Sequence, residues 1–232
     1  MRFHAMHTTI AIGGLALLCG CASTLEPAKT ATPVEGEPRA ARASRDGIQL
    51  TAKSGWPGKV QIQSAVTPLL VTLENDSGAA IQVSYDDFQI WGPDNQAFRA
   101  LPIGAIQGEV DATAGADNPV PEKTTKRFSI APGFESPEPG TELYDEDFEH
   151  DGYAAHNNEL YRVKLPTESM FRGALPEGTL EDGGMVEGYL YFEHVGSDVE
   201  KATLRAQFAR DTTNAVALEI PFTVVDGPAT GG

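Results

Sequence analysis

An acidic segment in the middle of the chain holds the side chains best suited to bind a metal ion. Carboxylates and an imidazole crowd together at Glu142, Asp145, Glu146, Asp147, Glu149, His150 and Asp151. Calcium takes about six to eight hard oxygen ligands. The candidate calcium ligands are therefore the alternating carboxylates of Asp145, Asp147, Glu149 and Asp151.

The spacing of these carboxylates departs from that of an EF-hand loop. If Asp145 takes the first position, His150 stands where the loop needs glycine, and His156 stands where it needs a bidentate glutamate. The alternative is a solvated acidic loop that holds no ion, and we favour it. Calcium is the one cofactor that the sequence leaves open.

Catalytic chemistry has little support in the sequence. A nucleophilic hydrolase needs a Ser or Cys beside a His that a carboxylate orients, and beyond residue 20 the only histidines are His150, His156 and His194. The Gly-x-Ser-x-Gly elbow, the His-Glu-x-x-His pair, the P-loop and the dinucleotide fingerprint are all absent. Only two acids about 5–9.5 Å apart across a cleft would revive a hydrolase. We expect no enzyme, and we expect His194 to lie on the surface at a strand end.

Aromatic side chains raise a second binding hypothesis. Stacking surfaces for a glycan could come from Trp56, Trp91, Tyr144, Phe148, Tyr153 and Tyr161. Such residues more often fill cores and strand edges. A module that binds a cation or a glycan is therefore the alternative to a protein that only contacts other proteins.

The N-terminus is typical of an export signal. Arg2 supplies a positive charge, and the apolar run of residues 10–18 is shorter than the roughly 20 residues that span a bilayer. A short basic region, an apolar region and a small-residue cleavage site together favour a signal peptide over residues 1–20.

The cleavage site resembles the lipobox of bacterial lipoproteins, in which an aliphatic residue, a small residue and Gly or Ala precede an acylated Cys. Leu18, Gly20 and Cys21 match this pattern, and Cys19 is a less usual occupant of its position. The resemblance implies that Cys21 carries palmitate-type acyl chains and anchors the protein in a membrane. The alternatives are acylation of Cys19, an ordinary secretory peptide, or an apolar helix with two buried cysteines.

Charge and cysteine content narrow the remaining possibilities. The chain has 17 basic and 33 acidic residues, and removing residues 1–20 takes away only Arg2, so the net charge falls from −16 to −17. This charge excludes nucleic acid as a natural partner and disfavours adsorption to anionic lipid. Because Cys19 and Cys21 are the only cysteines, the folded part must rest on its hydrophobic core without disulfides.

Composition divides the mature chain into a tether and a domain. Residues 21–47 are rich in Ala, Pro, Thr and Glu and lack apolar periodicity, which predicts a flexible tether with a reach of roughly 30 Å. Residues 48–226 show period-two alternation, clearest at Val216, Leu218, Ile220, Phe222 and Val224. Pro221 predicts that this last strand lies at an edge or a bulge.

Short strands with turns between them predict an all-β, antiparallel β-sandwich. Residues 167–175 predict one short helix capped by Thr167. Residues 104–159 predict a long, irregular acidic insert, apart from a strand over residues 126–130. Residues 227–232 predict a disordered tail.

Two segments carry a family resemblance. Residues 66–102 contain the turn Asn75-Asp76-Ser77-Gly78, and residues 165–195 contain the strand Gly188-Tyr189-Leu190-Tyr191-Phe192. They resemble a group of uncharacterised envelope lipoproteins from double-membraned bacteria. The resemblance implies an immunoglobulin-like sandwich and an envelope location, but no activity. The Tyr/Pro-rich central loop common in that group is replaced here by the acidic residues 128–161.

Location follows from the same comparison with lipoproteins. Ala22 follows the expected anchor, whereas an Asp at this position retains many lipoproteins at the inner membrane. We therefore expect the outer membrane, with the domain facing the periplasm and contacting other envelope proteins.

Overall fold

The described part of the chain folds as an antiparallel β-sandwich with one short α-helix. The computed structural model describes residues 23–58, 61–113, 120–132, 160–209 and 215–226. The predicted all-β sandwich is confirmed. The predicted signal peptide and residues 21–22, most of the acidic insert and the predicted tail lie outside the described residues.

The strands are numbered in chain order and form two large sheets and one small one. The smaller of the large sheets has the order β1 (Ser23–Pro27), β14 (Ala215–Asp226), β13 (Lys201–Ala209), β7 (Phe88–Trp91) and β8 (Ala97–Arg99). The larger sheet has the order β10 (Thr124–Ile130), β12 (Gly178–Glu193), β5 (Val66–Asn75), β4 (Ile48–Ser54), β3 (Glu37–Arg45) and β2 (Thr32–Val34), and β6 (Ile81–Val83) also pairs with β12. The remaining pair is β9 (Gly108–Thr113) with β11 (Leu160–Leu165).

The main core lies between the two large sheets. Alternate residues of β4, β5, β13 and β14 are buried in it, as period-two patterning requires. Its members from both sheets include Leu50, Leu69, Val71, Phe88, Leu190, Phe192, Leu204 and Leu218. The predicted inward face of β14 is buried from Val216 to Phe222, and Val224 is partly buried against the same core.

A second apolar layer covers the outer face of the larger sheet. Helix α1 (Glu168–Gly173) and the β9–β11 pair contribute Met170, Val110 and Leu165 to this layer, which also includes Trp56, Tyr189 and Tyr191. Residues 188–192 of β12 are therefore buried on both faces of the strand. The predicted helix is confirmed, and Thr167 Oγ1 accepts a hydrogen bond from the Met170 backbone N at 3.3 Å.

The predicted tether over residues 21–47 is wrong from Ser23 onward, where residues 23–45 contain β1, β2 and β3. Strand β1 pairs with β14, and β3 pairs with β4. Leu25, Ala40 and Ala41 are buried. Composition concealed these strands because small alanines supply little hydrophobic signal, whereas backbone pairing with β14 and β4 orders them.

The strand pairing bears out the expectation that Pro221 lies at an edge. Strand β14 lies between β1 and β13, but β1 pairs only with residues 222–226, so Pro221 stands where β14 loses its partner on that side. The Pro221 carbonyl accepts a hydrogen bond from Ala28 N at 3.0 Å, just beyond the end of β1. A residue's N and C=O point to the same side of a strand, so the missing N–H faces the place where β1 stops.

The region expected to be irregular also contains regular structure. Strands β9 and β10 lie within residues 104–159, and the predicted strand over residues 126–130 is confirmed as part of β10. Within the range that shows period-two alternation, Ile62 begins a 3-10 turn rather than a strand.

Replacing Leu25 with alanine tests the ordering of the N-terminal residues. Because Leu25 is 2% exposed in the main core, we expect the free energy of unfolding to fall by about 2 kcal/mol. Denaturant titration measures this change, and Glu26→Ala is the control because Glu26 is exposed on the same strand. If neither substitution lowers the free energy of unfolding measurably, the N-terminal residues are a flexible tether after all.

Among the described residues, no helix is both long enough and apolar enough to cross a bilayer.

Candidate functional site

The residues expected to do chemistry lie mostly outside the described ranges. Leu18, Gly20 and Cys21 precede the first described residue, and Asp145, Asp147, Glu149 and Asp151 fall in the gap between residues 132 and 160. Within the described ranges, no three His, Cys, Asp or Glu side chains are arranged to hold a metal ion.

The two tryptophans do not share a binding platform. Trp56 is 8% exposed in the second apolar layer, where its ring meets the rings of Tyr189 and Tyr191 edge-on at 5.0 and 5.9 Å. Trp91 lies on the smaller sheet, and the Arg205 guanidinium carbon Cζ lies over its ring, 4.9 Å from the ring centroid. Trp56 therefore serves packing, and the glycan hypothesis loses that member.

The tyrosines of β12 are held as neutral phenols. Burial is the main cause that raises the pKa of Tyr189 to about 12, with a smaller contribution from the Glu187 carboxylate. Burial likewise raises the pKa of Tyr191 well above its ordinary value. The Tyr191 hydroxyl donates a hydrogen bond to the Met170 carbonyl at 3.2 Å, which ties β12 to helix α1.

His194 directly follows β12, so the expected strand-end position is confirmed, but the residue is half-buried rather than fully exposed. Its Nδ1 has no hydrogen-bond partner among the described residues.

Two carboxylates meet at Ser84, in the crossover from β6 to β7. The Ser84 backbone N donates to Asp87 Oδ2 at 2.7 Å, and its hydroxyl donates to Glu177 Oε1 at 2.7 Å. Glu177 Oε1 also accepts from the Tyr85 backbone N at 2.9 Å. Both acids thus hold the 3-10 turn Tyr85–Asp87.

The Ser84 site is suited to holding a turn and to responding to protons. Burial is the main cause that raises the pKa of Asp87 to about 6; the Ser84 backbone N–H lowers it, and the charges of Asp86 and Glu177 raise it. The Ser-x-x-Asp spacing of Ser84 and Asp87 is a sequence signal for half of this arrangement. Glu177 carries no such signal because it is distant in the chain.

Replacing Asp87 with asparagine should change how stability depends on pH. The folded-state pKa of Asp87 is raised above its ordinary value of 3.8 to about 6. The folded protein therefore binds the proton more tightly, and this contribution to stability is fully present below about pH 4 and lost as the pH rises through about 6. The difference in unfolding free energy, wild type minus Asp87→Asn, should fall across that window.

Denaturant titrations at a series of pH values measure this difference, in which most other titrating groups cancel. Asp86→Asn is the control because it removes the same charge from an exposed neighbour. This variant keeps Asp87, so the difference in unfolding free energy between Asp86→Asn and Asp87→Asn should still fall with pH. A wild-type minus Asp87→Asn difference that is flat or rises with pH would contradict the prediction.

A groove of about 510 Å³ opens beside the loop that joins β1 to β2. Its lining residues are Thr30, Ala31, Thr32, Arg42, Ala43, Ser44, Gln49, Glu219 and Pro221. Arg42 and Glu219 bring opposite charges to it. None of these residues is aromatic, so the groove lacks the stacking surface on which the glycan hypothesis depends.

The start of β1 is fastened to the larger sheet by a short chain of buried hydrogen bonds. The Ser23 hydroxyl donates to the Val195 carbonyl, and the Val195 backbone N donates to Thr67 Oγ1 at 2.9 Å. Ser23 and Thr67 are each 4% exposed. Ser23 also pairs with Asp226 at the end of β14. This junction has no signal in the sequence, because Ser23 lies in the segment whose composition predicts a tether.

No protein-family model matches the chain, and no curated protein matches it in sequence.

Calcium should leave the acidic segment between Glu142 and Asp151 unchanged. The ligand spacing departs from that of a known calcium loop, and packed like charges repel. We expect limited proteolysis between Tyr144 and Tyr153 to proceed equally with and without millimolar calcium. Calcium-dependent protection and a raised melting temperature, both lost in Asp145→Asn/Asp147→Asn, would instead establish a cation-binding module.

Proposed function

We propose that this chain is a lipid-anchored protein of the bacterial cell envelope whose β-sandwich acts as an interaction or structural module rather than as a catalyst. Acyl chains on Cys21 would supply the membrane attachment. The partners would be other envelope proteins, and Ala22 favours the outer membrane with the domain in the periplasm.

The observation that carries this proposal is the position of the lipobox-like tetrad relative to the fold. Leu18, Gly20 and Cys21 precede the first strand, which begins at Ser23. A cleavage and acylation motif that ends before the first strand would leave the whole folded domain intact after signal cleavage. The immunoglobulin-like topology and the family relationship implied by the resemblance remain part of the proposal.

The exposed strand edges suit a module that stays discrete among other envelope proteins. The edge strands β2 and β8 have three residues each, and β1 ends in Pro27. Strand β10 is interrupted by a register shift at Arg127, whose φ is 51°. Short, bulged or charged edges suppress unwanted strand addition. Contacts with partners would therefore use side chains and turns rather than open edges.

Growth of the source bacterium with a radioactive fatty acid tests the anchor. We expect the label to comigrate with the full chain in the membrane fraction, and an unlabelled protein would contradict the proposal.

Chemical crosslinking in intact cells, followed by purification of the tagged chain, tests the interaction module. We expect discrete crosslinked species that contain other envelope proteins. Only uncrosslinked protein, together with calcium binding in a calorimetric titration, would favour the ligand-binding alternative.

A further inference from the structure

We infer that the end of the sandwich where β1 begins rests against the lipid bilayer surface, so that the domain is held in one orientation rather than reorienting freely on a flexible tether. This inference rests on the proposed acylation of Cys21. We call this end the anchor end, and it comprises Ser23, Asp226, the turn 194–200 and the turn 92–96.

The covalent distance between lipid and fold is short. Two peptide units separate Cys21 from Ser23, and consecutive Cα atoms are 3.8 Å apart, so the two Cα atoms are at most about 8 Å apart. A tether over residues 21–47 would instead have a reach of roughly 30 Å. Because residues 23–45 contain strands, nearly all of this reach is lost.

The attachment point cannot move away from the domain without breaking buried contacts. Ser23 is held by its pairing with Asp226 and by the hydrogen bond to Val195, and Leu25 is buried two residues further on. Pulling β1 off β14 would expose these groups. The strand therefore transmits the position of the anchor to the whole sandwich.

The same end collects several turns around the start of β1. Strand β12 ends at Glu193, opposite Val66 at the start of β5, and Lys201 opens β13 after the turn 194–200. The turn 92–96 lies against it, because a Cβ placed on Gly92 would be 3.4 Å from Val199 Cγ1. These turns would lie next to the headgroups.

Among its described residues, the anchor end lacks the basic and exposed apolar side chains that would insert it into a bilayer. Its exposed charged residues are Asp94, Asp198, Glu200 and Asp226, all of them acidic. Acidic groups are repelled by anionic lipid. In the described part of the chain, the exposed large apolar residue is Ile130, which pairs with Gly178 at the opposite end of β12. The acyl chains alone would hold this end at the bilayer.

The opposite end would project away from the membrane. It carries the turns at Asp46, Asp76 and Asp182, joined by hydrogen bonds from Asp76 N to the Gly47 carbonyl at 2.7 Å and from Gly78 N to Asp182 Oδ1 at 2.8 Å. Strand β5 runs from the anchor end to this end, and at about 3.3 Å per residue its ten residues span about 30 Å.

Energy transfer from the protein to labelled lipid tests the orientation. The full chain would be purified from membranes in lipidated form and reconstituted into vesicles of phosphatidylethanolamine and phosphatidylglycerol that contain an acceptor dye on the headgroups. A donor dye would be attached at Ser197→Cys for the anchor end or at Asp76→Cys for the opposite end; both native residues are exposed. We expect several-fold more transfer from position 197 than from position 76.

A flexible insertion is the matched control. Twenty Gly/Ser residues placed between Ala22 and Ser23 add a reach of roughly 25 Å, so transfer from position 197 should fall and the difference between the two positions should shrink. Equal transfer from both positions without the insertion, or no effect of the insertion, would overturn the orientation. Failure of the protein to float with the vesicles would overturn the proposed anchor itself, which distinguishes the two failures.

Discussion

Replacing Cys21 with alanine should abolish fatty-acid labelling and move the protein from the membrane fraction to the soluble fraction. The Cys21 Sγ is the atom through which the lipid would be attached. Each buried methylene of an acyl chain contributes about 0.8 kcal/mol to membrane binding. The charge of the mature chain, −17 after loss of Arg2, offers no electrostatic substitute on an anionic surface. Metabolic labelling and fractionation of the same cells measure both effects.

The neighbouring cysteine provides the control for this experiment. Cys19→Ala removes a thiol two residues away but leaves Leu18, Gly20 and Cys21 in place, so labelling and membrane association should persist. If Cys19→Ala loses the label while Cys21→Ala keeps it, the acylated residue has been misassigned. Equal labelling of both variants would refute attachment through either thiol alone.

Replacing Leu218 with alanine should lower the free energy of unfolding by about 2–5 kcal/mol. Leu218 is 3% exposed and belongs to the main core. Its side chain lies between the two large sheets, and the residue pairs with Ala206 of β13, so the surrounding structure has little room to collapse into the space left behind. Large-to-small changes at such sites lose both transfer free energy and packing contacts. Urea titration followed by circular dichroism measures the change.

Glu219→Ala is the control on the same strand. The Glu219 carboxylate pairs with Arg205 at 2.9 Å, but the two side chains are about half exposed, 57% and 48%. Ion pairs of this kind contribute roughly 0–1 kcal/mol, so the loss should be much smaller than at Leu218. Comparable losses at both positions would mean that the two faces of β14 are misassigned.

The strands that sequence reasoning found are those whose apolar residues alternate strictly. Strand β14 is the clearest case, since Val216, Leu218, Ile220 and Phe222 are all buried. Helix α1 was found because Thr167 is a suitable cap and the apolar residues after it share a face. These signals are local: each depends on residues within a few positions of one another.

The strands missed before residue 48 differ in how far away their partners lie. Strand β1 pairs with β14 at the other end of the chain, and no window of neighbouring residues contains that information. Strand β3 pairs with β4 across the two-residue turn Asp46-Gly47, which is a local hairpin signal. The small residues Ala40 and Ala41 made the composition of β3 resemble that of a linker.

The all-β class, most of the strands after residue 48 and helix α1 follow from local patterns, because alternation and capping depend on adjacent residues. The same is true of the lipobox-like residues Leu18, Gly20 and Cys21, on which the proposed acylation rests. Tertiary packing alone buries Tyr189 and Tyr191 on the outer face of β12, brings Glu177 to Ser84 and starts β1 at Ser23. Each of these depends on which distant element covers or pairs with a strand, and that choice is made by packing across the whole domain.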